Sequence, residues 1–466
     1  MKLLKIFTLG ALSVMLAGLA SCSKGGGELL DTIPADSKLV AMVNVRDVCK
    51  DAGVTFNADG AEYDPALQGK MSSRAGEVFG LIGRLDANDI ADMEHVAVLS
   101  TASGEAYATF GISAFDSFRE ACGDRISWGE DAEGMHVGTI EASTSVVASD
   151  TQVWLTDRSS TAAKGVKELL KASGELPISK VTGIDRVLSA GSPVNIAVLN
   201  GTFDPKGGHD AALEAVWSTA TVTFPEGKLA VEWSLMKGDG EKVPLKGLQP
   251  INPAVLAYVD SDPMVAAAAG LTPEFDWKPL SGLAMLTGDF QKQAMLSVAM
   301  PYLTSIDGTV LLAATPVDAD SFADPSPAGW RFVVMAHMPQ DKINQLLSTV
   351  RTMCFTSGLT PSVDPKTGVM TIKQYGMNLH LGNIDGYFAV SNHPFSDTGN
   401  NSLAPQFTGK NGAARITLPS LAPLGPGLPA WGLELEATVE NAGGTVMVTL
   451  PGSKGSVLLN LLSVLI

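Results

Sequence analysis

Apolar and polar residues alternate along most of this chain in short runs, the mark of half-buried β-strands, with a few helical stretches between them. Ile33-Pro34 leads into one such run, Leu39 to Asn44, followed by a short helix ending at Ala52-Gly53. A later passage has the same plan: Pro253, a strand from Val255 to Asp260, and a short helix ending at Ala269-Gly270. In both, the glycine is placed to cap a helix C-terminus. The correspondence continues. His95–Thr101 matches Thr309–Thr315 and Ala106–Ser113 matches Trp330–Met338. A helix follows each, Ala114–Cys122 with Phe115 and Phe118 inward, and Gln340–Met353 with Ile343, Leu346, Leu347 and Val350 inward. Three short strands come next in each half. Glu130–Gly134 and Asp364–Gly368 are equivalent hairpin turns, and Gln152–Asp157 matches Tyr387–Asn392. Trp217 and Trp431 each open a closing hairpin, Trp217–Phe224 with Lys228–Met236 and Trp431–Glu440 with Thr445–Leu450.

The pattern predicts an α+β fold of two tandem, internally duplicated lobes, mostly antiparallel sheet with a few covering helices, over residues 31–250 and 251–466. The boundary falls in Gly238–Pro253, where Gly, Pro and Lys cluster. Apolar residues at helical spacing predict a helix over Ala61–Leu85. The tail Ser456–Ile466 is too short to span a bilayer and is expected to pack as a terminal helix.

The first residues follow a different rule. Lys2 and Lys5 precede an apolar run, Ile6 to Leu16, about half the roughly twenty residues a spanning helix needs, so residues 1–21 are expected to be a signal peptide. The run ends in Leu19-Ala20-Ser21-Cys22, which resembles the lipobox of bacterial lipoproteins at all four positions. The resemblance implies cleavage after Ser21 and acylation of Cys22, with residues 22–30 as a flexible tether. Two or three acyl chains would hold the chain to a membrane essentially for good. Ser23 behind the cysteine favours the outer membrane by analogy with enterobacterial sorting. The acidic cluster that surface-exported Bacteroidetes lipoproteins often carry there is lacking, with only Glu28 nearby, which favours the periplasmic face by the same kind of resemblance.

Charge narrows the partners. The chain of 466 residues carries a formal charge of −17, and removal of Lys2 and Lys5 would take it to −19. Phosphate backbones need a basic face, so a nucleic-acid partner is excluded, and an acidic body should stand off anionic lipid. Cys49, Cys122 and Cys354 are too few and too scattered for a disulfide framework and are expected as buried hydrophobes.

No constellation specifies a reaction. The six histidines, at 95, 136, 209, 337, 380 and 393, lie one per element with no i,i+4 pair to grip a metal, and no motif implies a cofactor. Lys366-Thr367-Gly368 is similar to one motif of serine penicillin-recognising enzymes, but the matching S-x-x-K, Ser21–Lys24, straddles the cleavage site. The acidic loops Asp318/Asp320/Asp324 and Asn57/Asp59/Glu62/Asp64 lack the calcium-loop spacing. Aromatics at 6% argue against a glycan platform, for which Trp128, Trp277 and Trp330 are the best placed. Asp31-Thr32-Ile33 resembles the site at which Bacteroidetes attach O-glycans, making Thr32 a candidate modification site.

The signal peptide, the tether and the phrase Ile33 to Gly53 (IPADSKLVAMVNVRDVCKDAG) resemble lipoproteins abundant in Bacteroidetes that carry a domain of unknown function. That resemblance implies location and fold and no activity. The expected function is a lipid-anchored envelope protein with a non-enzymatic binding or scaffold role toward an envelope partner. The alternative is an envelope hydrolase whose site is assembled from residues distant in sequence.

Overall fold

The computed structural model describes residues 26–140, 144–157, 160–204, 207–225, 227–277, 299–318, 321, 326–374, 376–396, 402–424 and 428–465. The chain divides into two units. One runs to Val243 and takes back the residues from Lys454 onward; the other spans Pro244–Ser453.

The first unit opens with α1 (Gly26–Leu30) and β1 (Leu39–Val43). Asn44 turns the chain: its side-chain oxygen accepts from the backbone N–H of Asp47 and so starts α2 (Val45–Asp51). Gly53, at φ +80°, returns the chain into a hairpin of β2 (Val54–Asn57) and β3 (Gly60–Tyr63). The helix expected from Ala61 therefore starts later. Residues 61–63 pair as strand and 65–70 turn, and Ser72 then caps α3 (Ser73–Ala87) by accepting from Ala75 N–H. Leu81, Ile82 and Leu85 are its buried face.

Next come β4 (Val96–Ser100), β5 (Ala106–Gly111), α4 (Phe115–Cys122), β6 (Ser127–Trp128), β7 (His136–Ile140), β8 (Thr144–Ala148) and β9 (Gln152–Thr156). Then follow α5 (Ala162–Glu175), α6 (Thr182–Leu188), β10 (Val194–Leu199), α7 (Gly208–Glu214), β11 (Val216–Thr223) and β12 (Lys228–Lys237). The strands lie β6-β7-β8-β9-β5-β4-β1-β10-β11-β12, each pair antiparallel. Alternation puts Val43, Val96 and Phe110 on one buried face and Met42, Ala97 and Tyr107 on the other.

In the second unit β13 (Leu248–Gln249) precedes β14 (Val265–Leu271), β15 (Gly308–Pro316), β16 (Trp330–His337), α8 (Gln340–Thr356), β17 (Ser362–Val363), β18 (Met370–Gln374) and β19 (Met377–Ile384). After these come β20 (Tyr387–Ser391), α9 (Ala404–Phe407), β21 (Gly412–Leu418), β22 (Leu433–Glu440) and β23 (Gly443–Thr449). The strands lie β17-β18-β19-β20-β16-β15-β14-β21-β22-β23, again antiparallel throughout, so exchanging each strand for its counterpart leaves the order of the first unit unchanged. The fold is α+β and is written twice.

The ladders also set the register of the repeat. With His95–Thr101 laid on Thr309–Thr315, Val43 (paired with Val96 and Val194) becomes the counterpart of Ala269 (paired with Val310 and Gly412). Gln152 then falls on Tyr387, as the sequence pattern has it, but Trp217 falls on Glu434, three residues past the expected Trp431. The opening of the second lobe also differs from expectation. Asn252 accepts from Ala254 N–H and Pro253 sits at the first helical position, so Pro253–Tyr258 is a 3₁₀ turn and not a strand. The strand is Val265–Leu271, where a helix ending at Gly270 was expected. Its alanines favour a helix in isolation, but β15 and β21 bond it on both edges and the pairing overrides propensity.

The C-terminal helix α10 (Val457–Leu465) packs into the first unit, not into the second lobe where its place in the sequence put it. Leu459 is buried against Gly53, Ser456 Oγ donates to Asp51 O, and Lys70 Nζ donates to Ser463 O at 2.6 Å. Among the described residues no helix is long and apolar enough to cross a membrane.

Candidate functional site

A cavity of about 250 Å³ opens in the first unit where β1 ends, β4 and β10 begin and α6 runs out. Met42, Asn44, Glu94, His95 and Asn195 line it, with the loop 188–192. Asn195 is 2% exposed. Its Nδ2 donates to Ala190 O at 2.5 Å and to Ser192 O at 3.2 Å, which shapes the loop and fixes the amide's orientation. Its Oδ1 is then left buried without a hydrogen-bond partner among the described residues, a costly state for an amide oxygen.

His95 forms the opposite wall. Asp92, itself buried, accepts from the backbone N–H groups of Glu94 (3.0 Å) and His95 (3.1 Å) and lies 3.0 Å from His95 Nδ1. A carboxylate there places the proton on Nδ1 and leaves Nε2 as the acceptor of the neutral ring. The Asp92 hydrogen bond, working against partial burial, raises the pKa of His95 above 6.5. Arg46 braces the same turn. It grips Asp86 with Nη2 at 2.9 Å and Nε at 3.1 Å and bonds Glu94 through Nη1, tying β4's approach to α3. The result is a recess rich in acceptors, held by α2, α3 and the α6–β10 loop.

A second cavity of about 350 Å³ lies between α3 and the turn after α4, with Val78, Leu81, Cys122 and Ile126 against Arg74 and Arg125. Burial pushes the Cys122 thiol up to about 12, and the Cys49 thiol to about 12, so neither is a thiolate at neutral pH. Cys49, Cys122 and Cys354 are all free and buried.

The other sequence-derived candidates are scattered. Ser21 and Cys22, and with them the signal peptide and residues 22–25 of the tether, lie outside the described residues, as do Asp320 and Asp324. The rest of the expected tether is not flexible: Gly26–Leu30 is helix α1, and Leu30 is buried in the core of the first unit. Thr32 is half-buried: its Oγ1 donates to Leu29 O at 2.8 Å and accepts from Gln152 Nε2 at 3.0 Å, so a glycan on the folded chain would have to break the first bond. Asn57 and Glu62 bond each other across the β2–β3 hairpin at 3.1 Å. Among the described residues no group of three or more His, Cys, Asp or Glu side chains could hold a metal ion. Lys366-Thr367-Gly368 is a turn: Asp364 accepts from Lys366 N–H at 2.8 Å and Gly368 takes φ +72°. His136 stacks on Phe115 with ring centroids 3.6 Å apart, His337 meets Tyr387 edge-on, and His380 lies 3.1 Å from Thr371 Oγ1. Trp128 packs edge-on against Phe115 and Phe118, and Trp277 against Phe275. Of all these only His95 lies in the recess. Asn44, Asp92, Glu94 and Asn195 escaped sequence reading, the one hint being the polar turn Asp92-Met93-Glu94-His95 set directly before an apolar strand.

No family model matches the chain, and no curated protein does. Two solved structures of TP0453 share some likeness. Crystal form IV is 13% identical, covering 44% of this chain and 79% of that one, and crystal form III is 11% identical, covering 49% and 83%. Both reach a TM-score of 0.28, too low to inform fold or function.

Proposed function

We propose that this protein is a lipid-anchored, non-enzymatic binding protein of the cell envelope, held at the periplasmic face of the outer membrane by acyl chains on Cys22. The reading rests chiefly on the lipobox-like Leu19-Ala20-Ser21-Cys22, four residues ahead of the first helix among the described residues. An acylated Cys22 would hold the acidic body close to the bilayer while charge keeps it in water. The acceptor-rich recess supports binding as the role of the body. Its resemblance to Bacteroidetes lipoproteins fits the same location. In fractionated cells Cys22→Ala should move the protein from membranes to the soluble fraction, and undiminished membrane retention would refute the anchor.

One observation favours the alternative, an envelope hydrolase: the His95–Asp92 pair has the geometry of a base and its orienting carboxylate. The nearby Ser189 hydroxyl, however, donates to Asp185 O at 2.6 Å. A fluorophosphonate that labels a serine in the wild type and not in His95→Ala would establish that second reading.

A further inference from the structure

The second unit offers a comparison for the recess. In the ladder register, Met42, Asn44, Glu94, His95 and Asn195 correspond to Ala268, Gly270, Gly308, Thr309 and Ala413, and Ser192 to Lys410. The strand-end walls Met42, Asn44, Glu94, His95 and Asn195 all have smaller counterparts in the second unit, and there the place is filled by the chain itself. Gln249 pairs with Gly270, where an added Cβ would stand 2.1 Å from Gln249 O. Ile251 N–H donates to Lys410 O at 2.8 Å, and Asn252 N–H donates to Thr309 Oγ1 at 2.7 Å. Two successive main-chain N–H groups of one extended segment thus meet the counterparts of Ser192 and His95.

In the first unit the same two positions offer acceptors, the Ser192 carbonyl and, on the neutral ring, His95 Nε2, with Asn195 Oδ1 as a third buried acceptor that lacks a donor. Asn44 carries a side chain where Gly270 has none, and that side chain is turned toward Asp47 at 3.0 Å. The strip occupied by Gln249 in the second unit is therefore narrowed, and the part facing Ser192 and His95 stays open.

We infer that the recess is a docking slot for a short extended peptide of a partner polypeptide, which donates two consecutive main-chain N–H groups to Ser192 O and His95. The chain's own residues 249–252, seated at the matching place of the second unit, show the shape of such an occupant. This deepens the binding reading above and rests on it.

The test uses the acylated full chain in detergent. A random heptapeptide display library is panned on it, and the selected peptide is titrated calorimetrically. The expected result is one site per chain, at least tenfold weaker binding when two adjacent peptide nitrogens are methylated, and a similar loss in His95→Phe. His95→Gln, which keeps an acceptor, should stay within about threefold of the wild type. Ala190→Trp, on the exposed loop, should block the slot with little risk to folding. Failure to select any peptide, indifference to N-methylation, or full binding by Ala190→Trp would overturn the assignment, as would a dimer that Ala190→Trp dissolves. If an envelope partner recovered with the wild type is retained by Ala190→Trp, the slot assignment fails while the binding reading stands. If the wild type recovers no partner at all, the binding reading fails.

Discussion

Val43 and Ala269 hold the same place in their ladders, each between two antiparallel neighbours, yet the next residue is Asn44 in one unit and Gly270 in the other. Asn44 caps a helix and carries the chain off the sheet. Gly270 continues the strand beneath a backbone that lies too close for any side chain. A repeated sheet therefore tolerates divergence at the ends of its strands, because the ladder bonds are satisfied by backbone and make little demand on side chains there. A buried core position is less forgiving, and the contrast between such a position and an open strand end is measurable.

The largest effect is expected where the repeat has lost symmetry inside a core. Trp217 is fully buried and its counterpart Glu434 is partly exposed. Trp217→Ala should cost about 3–5 kcal/mol in urea unfolding, and Glu434→Ala about 0.5 kcal/mol or less. Equal losses would contradict the burial of Trp217 in the core of the first unit. A smaller difference is expected at the strand ends. Gly270→Ala forces a methyl against Gln249 O and should cost about 1–3 kcal/mol, whereas Asn44→Ala removes one cap and should cost about 1 kcal/mol. A neutral Gly270→Ala would show that β13 can leave β14 without consequence.

The smallest effect is in pH dependence, and its sign should differ between the units. Asp92 raises the folded-state pKa of His95, so the stability this pair contributes is complete below 6.5 and fades as pH rises through the folded value. Burial, with His393 nearby, lowers that of His380, so this residue destabilises the fold as pH falls from 6.5 through its folded value. His95→Gln should therefore lower the urea midpoint at about pH 5 and match the wild type at about pH 8, while His380→Gln should raise the midpoint at the acidic end only. Midpoint differences that do not vary with pH would remove both assignments.

Much of the sheet was legible in advance, because a strand with one face buried must alternate and the alternation survives low identity. His95–Thr101, Ala106–Ser113, Gln152–Asp157 and their counterparts could be placed for that reason. The errors fall where local preference and pairing disagree. Val265–Leu271 has the composition of a helix and becomes a strand because β15 and β21 bracket it. Ala61–Leu85 has helical spacing, and its first residues are drawn into the β2–β3 hairpin. The helices α5, α6 and α7 have no counterpart in the repeated pattern from which the elements are read. Trp217 and Trp431 are alike in residue type and not in place, since only the ladder gives the register of the last hairpin.

The recess was almost invisible, and its dispersal along the chain explains why. Asn44, His95 and Asn195 are separated by about 50 and 100 positions and become neighbours only because β1 pairs with both β4 and β10. The sequence by itself determined what is written in consecutive residues: the period-two strands, their repeated order, and the lipobox-like run that an export enzyme would read on an extended chain. Only the tertiary structure decided which strand ends meet, which oxygen is buried without a donor, and that the last helix belongs to the first unit. Those outcomes come from pairing between distant segments, and no local pattern of side chains encodes them.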